Sequence, residues 1–109
     1  PVWSRCRGDY DAILYCASWP AARREAWRTL LHARAVENQC YVAGVNRVGD
    51  DPSGHYAGDS LLVDFKGRTM AEAGDREQTL SAAFDSDALE AFRTEFPAWR
   101  DADRFTIHN

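Results

Sequence analysis

Three thiols, three imidazoles and a handful of paired charges are the groups in this sequence with chemistry to offer. Cys6, Cys16 and Cys40 form no Cys-x-x-Cys pair. Cys16 and Cys40 each fall inside an apolar, strand-like run, where desolvation disfavours the thiolate, so both read as buried reduced thiols. Cys6 lies between Arg5 and Arg7, whose charge favours a thiolate, but no Glu or His is evidently placed beside it as a base. Covalent catalysis needs nucleophile and base within reach of one another, so none of the three is read as a nucleophile. An odd cysteine number argues against a disulfide framework and for a reducing, cytoplasmic setting. His32, His55 and His108 lack ligand spacing to one another or to the cysteines, so no metal is expected. His55 and Tyr56 sit in a polar loop and read as surface chemistry.

Two further pairs stand out. Ser18 and Trp19 follow the end of an apolar run, where α/β folds place ligand-facing groups; they are candidates for a substrate-binding wall. Ser18 as a cap and Trp19 as core at a strand-to-helix junction is the equally natural alternative. Arg34 and Glu37 lie one helical turn apart, with Arg34 on an apolar stripe seven residues after Trp27. A charge there is costly unless paired, so the two read as a structural ion pair near the site.

The elements that must position these groups follow from periodicity. Ala12 to Ala17 (AILYCA) and Cys40 to Val45 (CYVAGV) are continuous apolar runs of strand length, the pattern of strands covered on both faces. Between them, Pro20 to Gln39 turns helical: Ala26, Trp27, Leu30, Leu31, Ala33 and Val36 recur at steps of three and four. Strand, helix, strand in this order predicts a right-handed crossover. Residues 46–59 are rich in Gly, Asp and Pro and read as a loop. Ser60–Phe65 and Arg68–Ala73 read as a hairpin about Lys66-Gly67, and Gln78–Phe84 as a further strand. Asp85-Ser86-Asp87 supplies a cap for a helix carrying Leu89, Phe92 and Phe96, which Pro97 ends. The expected fold is α/β: a mixed sheet of about five strands with two helices on one face. Its other face is left to a partner.

Size and charge narrow the class. With 109 residues and 45% apolar content, the chain has enough to bury a core. A net charge of −4 and no basic stripe argue against nucleic acid. No apolar run approaches the ~20 residues of a membrane span. The chain opens on Pro1-Val2-Trp3-Ser4-Arg5, which has neither tag nor leader character. It reads as the interior of a longer protein.

Read together, these segments resemble a family. The run ASWPAARREAWRTLLHARAVENQCYVAGVNRVG (residues 17–49) is similar to the stretch that follows the nucleophile in the nitrilase, or carbon–nitrogen hydrolase, superfamily. GDSLLVDFKGRTMAEAG (58–74) resembles its G-x-S-x-hydrophobic-x-D-x-x-G hairpin, and FPAWRDADRF (96–105) resembles the tail of its omega-amidase branch. Ser18 departs from the Asn-Trp-Pro usual there. The resemblance implies half of a four-layer αββα sandwich, residues 1–109 forming the C-terminal part of one domain whose N-terminal part is missing. It implies cleavage of the amide of 2-oxo acid amides such as 2-oxoglutaramate, through a cysteine thioester, with no metal or organic cofactor. Pro1 to Arg5 resembles the residues just after the nucleophile, so the Cys, Glu and Lys of that triad all fall upstream of Pro1. The isolated chain is then expected to be inactive, and the assembled protein to be a homodimer. Another amide or nitrile substrate, or a non-catalytic interaction module, are the alternatives.

Overall fold

The computed structural model describes residues 4–6 and 8–108. Pro1 to Trp3, the start of the stretch that resembles the residues after the nucleophile, lie outside them. The first strand, β1 (Ala12–Ala17), runs into a 3-10 turn (Ala21–Arg23) and helix α1 (Arg24–Asn38), which returns the chain to β2 (Tyr41–Asn46). β1 and β2 pair in parallel, Ala12 opposite Tyr41 and Ala17 opposite Asn46, as the crossover pattern predicts. Gln39 ends α1 in the left-handed region (φ 47°), and its N–H reaches back to the carbonyls of Ala35 and Val36.

Two antiparallel strands complete the main sheet: β5 (Leu61–Val63) beside β2, and β6 (Thr69–Glu72) beside β5, giving the order β1-β2-β5-β6. The segment read as a loop holds a separate hairpin, β3 (Val48–Asp51) with β4 (Gly54–Ala57). Its strands are four residues each, and Gly and Asp fill half of their positions, so they lack the apolar alternation that announces a strand. The segment 78–84, expected as a strand, is not one: it is largely exposed and forms no ladder among the described residues. Among the described residues it is anchored at its end, where Phe84 stacks on Tyr41 with ring centroids 4.4 Å apart.

The core lies between α1 and the sheet. Trp27, Leu31 and Ala35 of α1 are buried against Val42, Leu61 and Val63, with Ile13, Tyr15 and Trp19 packed around them. Gly44 makes the contact close, because a Cβ there would sit 2.4 Å from Leu31 Cδ1 and 2.9 Å from Trp27 Cζ2. Gly44→Ala should therefore force helix and sheet apart and cost about 2 kcal/mol, read as a lower urea midpoint at unchanged m.

The second helix, α2 (Ser86–Glu95), starts on an Asp85 side chain that accepts the Ala88 N–H, as expected of the cap. It does not share the face that α1 covers. Leu89 packs on Tyr41 and Phe65, with Ala12 and Phe92 alongside. Tyr41 and Ala12 alternate with Val42 and Ile13, so α2 shields only the entry end of the opposite face. Arg93 fastens it, donating to Gln39 O, Tyr10 O and the Asp11 carboxylate. The rest of that face is open: Leu14 is 69% and Val45 54% exposed. Cys16 lies on it too and is exposed, not buried as its apolar run suggested. A continuous apolar run marks two faces to be covered, and this chain covers one.

Candidate functional site

The carboxyl ends of parallel β1 and β2 lie side by side, because α1 returns the chain to pair in parallel and Ala17 ends opposite Asn46. Beyond β1 the chain turns through Ser18 and Trp19; beyond β2 it reaches Asn46 and Arg47. Asn46 holds the junction. Its Oδ1 accepts the Trp19 N–H at 2.7 Å, and its Nδ2 donates to Trp19 O at 3.1 Å and to Gly58 O at 2.8 Å. Its own N–H donates to Ser60 Oγ at 2.9 Å, and that hydroxyl donates to Asn46 O. One buried amide thus ties the two strand ends to the Gly58-Asp59-Ser60 segment.

Trp19 is fixed further by Trp27, whose ring lies 5.8 Å away, and by donating its indole N–H to Arg23 O at 2.7 Å. Ser18 is exposed, and the 3-10 turn that follows is entered through Pro20 with no side-chain cap. Behind the junction, Trp27 Nε1 donates to Asp59 O at 2.9 Å. Asp59 stands in the left-handed region (φ 57°), and its carboxylate, 4% exposed, accepts from Arg24 at 2.8 Å. Gly58 precedes it at φ 73°, and a Cβ there would strike Gly74 O at 2.6 Å. The Gly-Asp-Ser triplet is therefore a backbone device that delivers Asp59 and Ser60 inward.

Arg34 and Glu37 pair at 2.6 Å, with Arg34 15% and Glu37 46% exposed. Arg34 O accepts from Asn38 Nδ2, whose Oδ1 accepts the Cys6 N–H at 2.8 Å. The pair belongs to a scaffold between α1 and the segment before β1, away from the Trp19 junction. Burial pushes the Cys40 thiol up to about 12, with Cys6 nearby adding to the shift, so Cys40 stays protonated and inert. Cys6 is buried, donates to Tyr10 O and accepts from Arg93. His55 faces Asp50 at 2.7 Å on the exposed hairpin. Among the described residues, no three His, Cys, Asp or Glu side chains converge as a metal site, and no helix is long and apolar enough to cross a membrane.

Sequence reasoning missed Asn46, Asp59 and Arg24 as site residues. A lone Asn at the end of an apolar strand was the available signal for the first; the others announce themselves only through contacts 35 residues apart. A concavity of about 320 Å³ adjoins the junction, lined by Asn46, Arg47, Ser60, Gly74, Arg76 and Glu77 among others. A larger one, about 510 Å³, is lined by α2 residues alone and touches none of these groups.

A mixed sheet with a βαβ unit, and polar groups gathered at the parallel strand ends, define an α/β protein of the kind that binds small ligands at those ends. The carbon–nitrogen hydrolase family profile matches residues 8–94. The chain belongs to the carbon–nitrogen hydrolase, or nitrilase, family. It is 53% identical over 110 positions to the omega-amidase YafV of Yersinia enterocolitica, covering 98% of this chain and 43% of that protein. It is 38% identical to the 2-oxoglutaramate amidase of Bacillus subtilis, covering 93% of this chain and 40% of that one. Among solved structures, the CN-hydrolase superfamily protein XC1258 of Xanthomonas campestris superposes with a TM-score of 0.93 at 44% identity, over 99% of this chain and 44% of that one. The chain therefore spans less than half the length of these relatives.

Proposed function

We propose that these 109 residues form the C-terminal part of an omega-amidase-type hydrolase, which cleaves the amide of 2-oxo acid amides such as 2-oxoglutaramate to acid and ammonia. The observation that carries this reading is the 53% identity to an omega-amidase across 98% of the chain. The Trp19–Asn46–Asp59 junction supports it, since it is built where the parallel strands end and is rigid enough to serve as a pocket wall. Ser18 and Trp19 face the substrate; Arg34 and Glu37 hold α1 against the segment before β1. A cysteine upstream of Pro1 attacks the amide carbonyl as thiolate, with an upstream Glu as base and a Lys stabilising the oxyanion. The C–N bond breaks with a proton passed to the leaving ammonia, and water then splits the thioester, returning the thiol and releasing the carboxylic acid. No metal or organic cofactor takes part. A second sheet from the N-terminal part covers the open face, and the assembled protein is a cytoplasmic homodimer.

Ammonia release from 2-oxoglutaramate tests this. The full-length protein should be active, and the separate 109-residue chain should release none above the uncatalysed rate. Activity in the separate chain, or its loss on changing Cys6, Cys16 or Cys40 to Ser, would place the chemistry here instead. A full-length protein inert toward every amide, with a separate chain that folds alone, would favour a non-catalytic module.

A further inference from the structure

The 3-10 turn and α1 carry four arginines, Arg23, Arg24, Arg28 and Arg34. Three are neutralised: Arg24 by Asp59, Arg28 by Glu72 and Arg34 by Glu37. Arg23 is not. Among the described residues no carboxylate pairs with it, and its guanidinium instead lies over the Trp19 ring, 4.9 Å from the centroid. The same turn locks both partners, since the Trp19 indole N–H donates to Arg23 O at 2.7 Å and Asn46 grips the Trp19 backbone from both sides. Arg47, the cation at the other strand end, differs: it stacks on Tyr56 at 4.3 Å but is already paired with Asp51 at 2.5 Å.

A guanidinium lying on an aromatic face keeps its in-plane N–H groups free at the edge, and that edge matches a carboxylate in bidentate fashion. The ring also limits the rotamers of a long side chain, so less freedom is lost when an anion binds. We propose that Arg23, held on Trp19, is the subsite for the substrate's carboxylate, and that it selects acid amides over neutral amides of equal length. This rests on the amidase reading above, and it assigns the far end of the substrate rather than the reacting end. At neutral pH a 2-oxo acid amide carries a full negative charge several bonds from its scissile amide. A pocket for it needs a cation without a carboxylate partner, offset from the nucleophile, and Arg23 is such a cation, held on the Trp19 ring at this junction.

The test uses the full-length protein, with Arg23→Gln and Arg23→Lys, on 2-oxoglutaramate and on the neutral amide butyramide. Arg23→Gln should raise KM for 2-oxoglutaramate by roughly 30-fold, the worth of a charge-assisted pair, and leave kcat within about threefold. The inhibition constant of 2-oxoglutarate should rise in parallel, and kcat/KM for butyramide should stay unchanged. Arg23→Lys, which keeps the charge but not the fork, should recover part of the loss. Equal losses on both amides, or a fall in kcat alone, would mark Arg23 as merely structural and overturn the assignment. So would an unchanged KM in a wild type that prefers the acid amide, with the amidase reading intact. A wild type that hydrolyses neither amide overturns both.

Discussion

Asn46→Ala should cost about 3 kcal/mol of stability, because it strips partners from three backbone groups at once. The Trp19 N–H, the Trp19 carbonyl and the Gly58 carbonyl all lose the side-chain amide that satisfies them. None has a replacement in the junction, and alanine leaves a space lined by polar atoms in which water could repay only part of the loss. Asn46→Asp is the informative control: it keeps the acceptor for the Trp19 N–H but points a carboxylate oxygen at two carbonyls, so it should be no better than alanine. Urea unfolding of the full-length protein reads the stability. Trp19 fluorescence reads the local effect, since the indole should become more exposed before global unfolding. A loss below 0.5 kcal/mol in both variants would show that the amide is a passenger, within the range of ordinary surface changes.

How much of this was legible in the sequence depends on where each signal is written. The βαβ unit was legible because its signals are local: two apolar runs, a helical stripe of which Trp27 and Leu31 are buried while Leu30 and Val36 are exposed, and Pro20 at the entry. The Asp85 cap was legible for the same reason. Asn46 was not, since its meaning lies in partners 12 and 27 residues away that no periodicity encodes. The hairpin of β3 and β4 escaped because its strands are four residues each and rich in Gly and Asp, so turn-forming residues dominate the stretch. The segment 78–84 and Cys16 show the opposite error. Both rest on apolar patterns that promise a covering layer, and among the described residues Cys16 and most of 78–84 are exposed. The pattern was real; its partner is not among these residues. Arg34 and Glu37 were legible as a pair because helical spacing alone brings them together.

Val45→Asp should be mild in the separate chain and severe in the full-length protein, and that contrast tests the proposed second sheet. In the 109-residue chain Val45 is 54% exposed and adjoins Leu14, 69% exposed, with Cys16 and Leu62 on the same face. Such a contiguous apolar surface favours association, so the separate chain should sediment as mixed oligomers. An aspartate there meets water, costs about 1 kcal/mol or less in strand preference, and should shift the chain toward monomer. In the full-length protein the same position is proposed to lie between two packed sheets. A carboxylate buried there without a partner should cost about 4 kcal/mol, a large part of the stability of a typical domain, and the protein should melt far lower or fail to accumulate. The relatives are more than twice as long as this chain, which is the material such a second sheet requires. Sedimentation of the separate chain and thermal melting of the full-length protein read the two arms. If the aspartate leaves the full-length protein as stable as the wild type, the face is open to water there as well, and no second sheet covers it.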